Sequence, residues 1–209
     1  MGKEISPRKY SIKRKEKDMK VFLIGSHGAG KTTLVQEIEK ELEKERISHI
    51  VVPELPRFLM ENLIFHWSSL SFTSWVNFQR VLADYYYFVH QLETDLPVLS
   101  DRSLLDVLAY VKFGAGKWEK HLSSYLEFPE FLFGKTKSVL QQAENYFYFY
   151  SLNNLWQDIS QQKIEELLQE IIKEFSVSVR IFTRQDLENI KNEIVSLFME
   201  QGNRKGVIK

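Results

Sequence analysis

The chain has 209 residues, 44% hydrophobic and 27% charged, enough to bury a substantial core and to exclude a disordered or fibrous protein. Lys plus Arg and Asp plus Glu both number 28, so the overall charge balance gives no argument for a nucleic-acid or anionic-membrane partner. No cysteine is present, which removes disulfides, zinc-cysteine sites and thiol catalysis and makes the cytoplasm the expected compartment.

Residues 1–18 carry seven Lys or Arg, three acids and almost no aliphatic side chains. They read as a basic flexible tail, with 19–209 as a single domain. The N-terminus lacks the apolar core of a signal peptide, and the longest apolar runs, such as Val107 to Val111, fall far short of the ~20 residues that cross a bilayer. No membrane partner is expected.

Val21 to Ile24 is a short apolar run closed by Gly25, as expected of a strand buried on both faces. Leu34, Val35, Ile38 and Leu42 then recur at helical spacing, opposite a charged face, in a helix starting near Lys31. Ile50 to Val52 is a second strand, ending at Pro53. Residues 58–95 are aromatic-rich and read as helical. Pro97 to Leu99 is a third strand running into Ser100-Asp101-Arg102, and Leu104, Leu105, Leu108 and Val111 mark a further helix. Gly114-Ala115-Gly116-Lys117 reads as a plain loop. Tyr146 to Tyr150 and Val177 to Thr183, rich in β-branched and aromatic residues, read as fourth and fifth strands. The segment between them, from Ser151 through Asp158, leads into a helix with Ile164, Leu167, Leu168 and Ile171. This alternation predicts an α/β domain, a five-stranded parallel sheet in a three-layer α/β/α arrangement.

Gly25-Ser26-His27-Gly28-Ala29-Gly30-Lys31-Thr32 fits G-x-x-x-x-G-K-[ST] at every fixed position, between the first strand and a helix. A chance match in a chain this long is on the order of one per cent; an ordinary Gly-rich turn is the competing reading. The glycines let backbone N–H groups turn toward phosphate oxygens, and the helix directs its positive end at the same place. Lys31 would reach the β and γ phosphates and Thr32 would place its hydroxyl on Mg²⁺. His27, in a free position of the loop, reads as a spacer.

With Thr33 and Leu34 after the loop, Pro53-Glu54-Leu55-Pro56-Arg57, Gln79, and Asp101-Arg102-Ser103 with Asp106, Ala109 and Tyr110, the chain resembles the P-loop small-molecule kinases. The nearest groups are the nucleoside and nucleotide kinases and the nicotinamide-riboside-kinase-like ATPases. The resemblance implies Mg²⁺ and ATP, with Gly25 to Thr33 around the nucleotide and a small nucleoside- or nucleotide-like acceptor. It gives Glu54 to the acceptor hydroxyl as base or orienting group, Asp101 to Mg²⁺, Arg102 to the acceptor or transferred phosphate, and Gln79 to a base-like ring. Arg57 joins the charged inventory on the acceptor side.

Physics supports the same grouping, because Gly25, Glu54 and Asp101 each follow the carboxyl end of a strand, where ligands of a doubly wound sheet bind. The competing readings are a surface ion pair for Glu54 and Arg57 and a helix cap for Asp101 beside a solvated Arg102. The aromatics between Phe65 and Phe88 could stack a flat ring or simply form core. One departure from the kinase pattern stands out: no arginine lies between Arg102 and Arg180, where such kinases close an arginine-bearing lid. Lys163 lacks the planar fork of arginine, and Asp158 could cap the helix or touch Mg²⁺. A GTPase would show D-x-x-G after the third strand and N-K-x-D later; Asp101-Arg102-Ser103-Leu104 and Thr183-Arg184-Gln185-Asp186 do not match. An oligomeric AAA+ remodelling ATPase should carry paired acids after its third strand, but Arg102 follows Asp101. A nucleotide-dependent ATPase or switch working through a protein partner remains the alternative.

Overall fold

The computed structural model describes residues 19–63, 69–117, 127–140, 145–152 and 155–205. The basic tail, Phe65 and Trp67, and Asn153-Asn154 lie outside these. In chain order the elements are β1 (Lys20–Ile24), α1 (Lys31–Lys44), β2 (Ile50–Val52), α2 (Leu55–Leu63), α3 (Phe72–Gln91), β3 (Val98–Asp101), α4 (Leu104–Lys117), α5 (Glu127–Leu140), β4 (Asn145–Tyr150), α6 (Ile159–Glu174) and β5 (Val179–Phe182). A 3₁₀ turn (Arg184–Asp186) and α7 (Leu187–Lys205) follow.

The strands form one sheet in the order β2-β3-β1-β4-β5, every neighbouring pair parallel, with Leu23 level with Asp101 and Ile24 level with Phe149. Successive side chains of β1 point to opposite faces, and all five of its residues are buried. Phe22 and Ile24 face a core shared with α3, α4, α5 and α6. Val21 and Leu23 face α1 and α7. The domain is therefore a three-layer α/β/α sandwich, and each wholly buried Phe, Leu or Ile contributes about 1.5–3 kcal/mol.

Three expectations need correction. The third strand reaches Asp101, two residues beyond Leu99, so Asp101 is itself a strand residue. The aromatic stretch 58–95 is not one helix: α3 has its own N-cap, Ser71, whose hydroxyl accepts the Ser74 N–H at 3.2 Å. Residues 114–117 form the last turn of α4 rather than a loop. The physical reason is Trp75: a Cβ on Gly114 would stand 2.0 Å from its ring, so glycine is what lets the indole lie against the helix backbone. Gly114→Ala should lower stability, because overpacking (about 1–3 kcal/mol) outweighs the helix-propensity gain of about 1 kcal/mol; a urea midpoint at or above wild type would contradict the contact.

Behind the sheet, His90 stacks on Phe22 at 4.1 Å, and its carbonyl accepts the Lys20 ammonium at 2.7 Å. Burial, with help from Lys20, pushes the His90 imidazole down to about 3. The unfolded chain takes up this proton near pH 6.5 and the native state does not, so stability falls as pH drops from about 6.5 toward 3. His90→Phe keeps the stacking and removes the titration. It should abolish about 2 kcal/mol of the stability lost between pH 7 and pH 5, read from urea midpoints; identical pH slopes in both proteins would refute the assignment.

Candidate functional site

The loop between β1 and α1 is shaped by left-handed backbone at Gly28 (φ +71°) and Gly30 (φ +102°). A Cβ on Gly28 would lie 2.8 Å from Gln161 Nε2, and one on Gly30 would lie 3.3 Å from the Tyr150 ring. Both positions thus favour glycine for their backbone conformation, with a neighbouring side chain close by. Lys31, the first residue of α1, is buried, and its ammonium donates to the carbonyls of Gly25 (2.9 Å) and Ser26 (2.8 Å). Burial, then Arg102, brings it down to about 8. The Ser26 hydroxyl is buried with no partner among the described residues.

Three strand ends converge beneath this loop. The Thr32 hydroxyl donates to Asp101 Oδ2 at 2.6 Å and lies 3.3 Å from Glu54 Oε2; having one proton, it serves the closer carboxylate. Asp101 Oδ1 is buried without a partner among the described residues. Glu54, 11% exposed, accepts Arg102 Nε at 2.9 Å and Arg102 Nη2 on the same oxygen, while Arg57 Nη2 lies 3.2 Å from the other. Burial pushes the Glu54 carboxyl up, but Arg102, Lys31 and Arg57 outweigh it and hold it below its ordinary value. The surface-pair reading fails for Glu54, and holds only for Arg57, 53% exposed on α2. Nor does Asp101 cap α4. Ser103 does so, its hydroxyl accepting the Leu105 N–H at 3.0 Å, and Arg102 is buried rather than solvated.

Arg102 sits at φ +99°, a region that costs a side-chain-bearing residue on the order of 1–3 kcal/mol. Its N–H donates to Leu23 O at 3.0 Å, and its guanidinium lies 5.3 Å from the centre of the Tyr110 ring. Asp106 ties this corner to the loop: Oδ1 accepts the Gly25 N–H (3.1 Å) and Oδ2 the Ser103 N–H (2.9 Å). Burial raises the Asp106 carboxyl despite Arg102, Lys31 and these N–H groups. The structural role of Asp106 was signalled by Ser103-x-x-Asp106, a capping-box spacing.

Two cavities flank the loop. One, of about 420 Å³, is lined by Gly28, Ala29, Gly30 and Thr33, by Tyr150 at the end of β4 and by Arg184 in the 3₁₀ turn after β5. The other, of about 500 Å³, is walled by Trp75, Phe78, Tyr86 and Tyr110, with Glu54 and Arg102 at one side. Gln79 lines the second cavity, its Oε1 buried and unpartnered among the described residues. His27 faces this cavity too, and Asp158 is the N-cap of α6, accepting the Gln161 N–H at 2.9 Å. The contribution of Thr183, Arg184 and Ser160 to these walls had no local sequence signal.

A divalent cation fits this donor set. Among the described residues no three His, Asp or Glu side chains cluster around one point, but Mg²⁺ needs only one or two protein oxygens beside water and phosphate. Thr32 Oγ1 and the unpartnered Asp101 Oδ1 are such a pair.

A parallel sheet in this order with a glycine-cradled lysine at the β1–α1 turn defines a P-loop NTPase domain. More narrowly, residues 20–189 match the family model described as AAA domain, and the chain belongs to that family. No curated protein matches the sequence. Among solved structures, the NadR protein in complex with NAD and AMP-PNP is similar over 85% of this chain and 48% of its own (17% identity, TM-score 0.60). The NadR protein in complex with NR is similar over 78% and 43% (17%, TM-score 0.54). The chain therefore spans about half the length of NadR. The deoxyadenosine kinase from M. mycoides, with products dCMP and a flexible dCDP bound, is similar over 89% of this chain and 99% of its own (18%, TM-score 0.51). These likenesses establish the fold alone, and no helix among the described residues is long and apolar enough to cross a membrane.

Proposed function

We propose that the protein is an Mg²⁺-ATP-dependent kinase that transfers the γ-phosphoryl group to a hydroxyl of a small, nucleoside-like acceptor, with residues 19–209 acting as one domain. The observation that carries this reading is the pair of cavities flanking the phosphate loop, one lined by the glycines and Thr33, the other aromatic-walled with Glu54 and Arg102 at its side, where Glu54 Oε2 lies 3.3 Å from Thr32 Oγ1. A hydrolase needs only the first.

Gly25 to Thr33 would surround the nucleotide phosphates, and Lys31 would exchange its loop carbonyls for phosphate oxygens. Mg²⁺ held by Thr32 and Asp101 would offset charge on the phosphates. Glu54, kept ionised by its arginines, is a weak base, so it holds and orients the acceptor hydroxyl rather than removing its proton early. Phosphoryl transfer tolerates this, because its transition state asks for positioning and charge neutralisation more than for a strong base. Arg102, fixed by Glu54 and Tyr110, presents positive charge at the same point. The aromatic walls suit a flat ring, and the unpartnered Gln79 Oε1 would accept a hydrogen bond from that ring's polar edge.

The absence of arginine from residues 103–179 favours one rival, an ATPase or switch that works through a protein partner. ADP release from Mg²⁺-ATP, with and without a pool of nucleosides, nucleoside monophosphates and nicotinamide riboside, separates the two. A phosphorylated product seen by mass only with one acceptor is expected. Slow ADP release unaffected by every acceptor would overturn the kinase reading in favour of the switch.

A further inference from the structure

His27 is joined on both sides. Its backbone N–H donates to Tyr110 Oη at 3.1 Å, and its ring Nδ1 lies 3.1 Å from the same oxygen. Ring Nε2 lies 3.4 Å from Ser160 Oγ and 3.5 Å from Asp158 Oδ2, and the His27 carbonyl accepts Gln161 Nε2 at 2.9 Å. One proton arrangement serves every group: Tyr110 O–H donates to Nδ1 while accepting the backbone N–H, and Nε2–H donates toward Ser160 and Asp158. The residue thereby clamps the phosphate loop between α4, which carries the acceptor wall, and the first turn of α6. That turn follows β4, where a kinase lid would carry its arginines, and here it has none. The ring is 41% exposed, so packing alone does not account for a residue whose polar atoms all reach other elements.

We propose that His27 is a positioning residue, a pin that holds the first turn of α6 closed against the phosphate loop and so fixes the wall between the nucleotide and acceptor cavities. The functional half of this inference rests on the kinase reading; the mechanical half does not. With the pin removed, α6 loses its only side-chain ties to the loop among those described except Gln161, and the acceptor is seated less well while the nucleotide cavity, built from the glycines, Thr33 and Arg184, is left intact. Transfer depends steeply on such alignment.

The test compares wild type, His27→Ala and His27→Gln, the last retaining a donor toward Ser160. Hydrogen exchange of the amides of residues 161–165, measured without ligand and with Mg²⁺-AMP-PNP, should be at least tenfold faster in His27→Ala and recover in His27→Gln. Amides of β1 and α1 should change by less than threefold. Unchanged exchange in α6, or acceleration spread equally through β1 and α1, would overturn the pin. Should His27→Ala fail to fold, Asp158→Asn with Ser160→Ala removes the α6 side of the contact while keeping an N-cap residue, and the same exchange pattern is required of it. In turnover, with deoxyadenosine and cytidine as probe acceptors, His27→Ala should raise acceptor KM at least fivefold with ATP KM within twofold. Equal rises in both would make the residue merely structural. If wild type phosphorylates neither probe nor any member of the nucleoside pool, the kinase reading fails while the exchange result still decides the pin.

Discussion

Lys31→Ala is expected to reduce turnover by roughly a thousandfold, the scale seen when a preorganised charge at the transition state is deleted. The fold should survive. Lys31 is fully buried against two carbonyls and brought down to about 8, so the native state holds its charged form at a cost. A lysine depressed in this way detracts from stability below pH 8, and that cost fades as pH rises toward the unfolded value near 10.4. Its removal therefore leaves a small space but no orphaned charge. The urea midpoint at pH 7 should stay at or above that of wild type, while the thermal stabilisation conferred by Mg²⁺-ATP disappears. Lys31→Arg should not restore activity, because the planar fork cannot replace a compact ammonium enclosed by the loop. A Lys31→Ala protein with full turnover would sink the assignment of the loop.

The sheet and the phosphate loop were legible in the sequence because each has a dense local signature. β1 is a bare apolar run ending in glycine, and the loop motif fixes four positions across eight residues. Glu54 and Asp101 could be grouped because a parallel sheet delivers its strand ends to one edge. Other parts rest on contacts remote in sequence. How Gly114 packs depends on Trp75, 39 positions away, whose ring would be crowded by a side chain at 114. α5 carries Pro129 and Gly134, which argue against a helix from local sequence alone, and α7 is defined by Ile190, Ile194 and Phe198 packing with the face of the sheet that α1 covers.

The same limit governs the site. His27 looked like filler because a free motif position carries no information about what it faces, and its partners Tyr110 and Ser160 arrive from 83 and 133 residues away. Arg102 was visible as a residue type, yet its positive φ and its burial between Glu54 and Tyr110 follow from how β3 ends. A side chain held in a strained backbone region is retained by surroundings that over-determine it, and here those are the Leu23 carbonyl, Glu54 and the Tyr110 ring.

Glu54→Gln should lower acceptor phosphorylation by about 100- to 1,000-fold, within the range for loss of a group that handles the acceptor proton, while nucleotide affinity stays within about threefold. The asymmetry follows from where Glu54 points. It lies 3.3 Å from the Thr32 hydroxyl, but its strongest partner is the buried Arg102, with the exposed Arg57 beside it on the acceptor side. A glutamine keeps the shape and one acceptor oxygen, yet removes the carboxylate nearest the buried Arg102, leaving Asp106 at 3.9 Å from Nη1 as its remaining ion pair. Some stability must go too, since a buried charge that is less well compensated is costly. Pairing Glu54→Gln with Arg102→Gln separates the two effects. If the carboxylate acts only by holding Arg102, the double variant should be no slower than Arg102→Gln alone. If it also orients the hydroxyl, the losses should compound beyond either single change. Arg57→Ala serves as the control, because an exposed partner contributes about 0–1 kcal/mol. Equal losses of nucleotide binding and transfer in Glu54→Gln would assign the residue to the fold rather than to the acceptor.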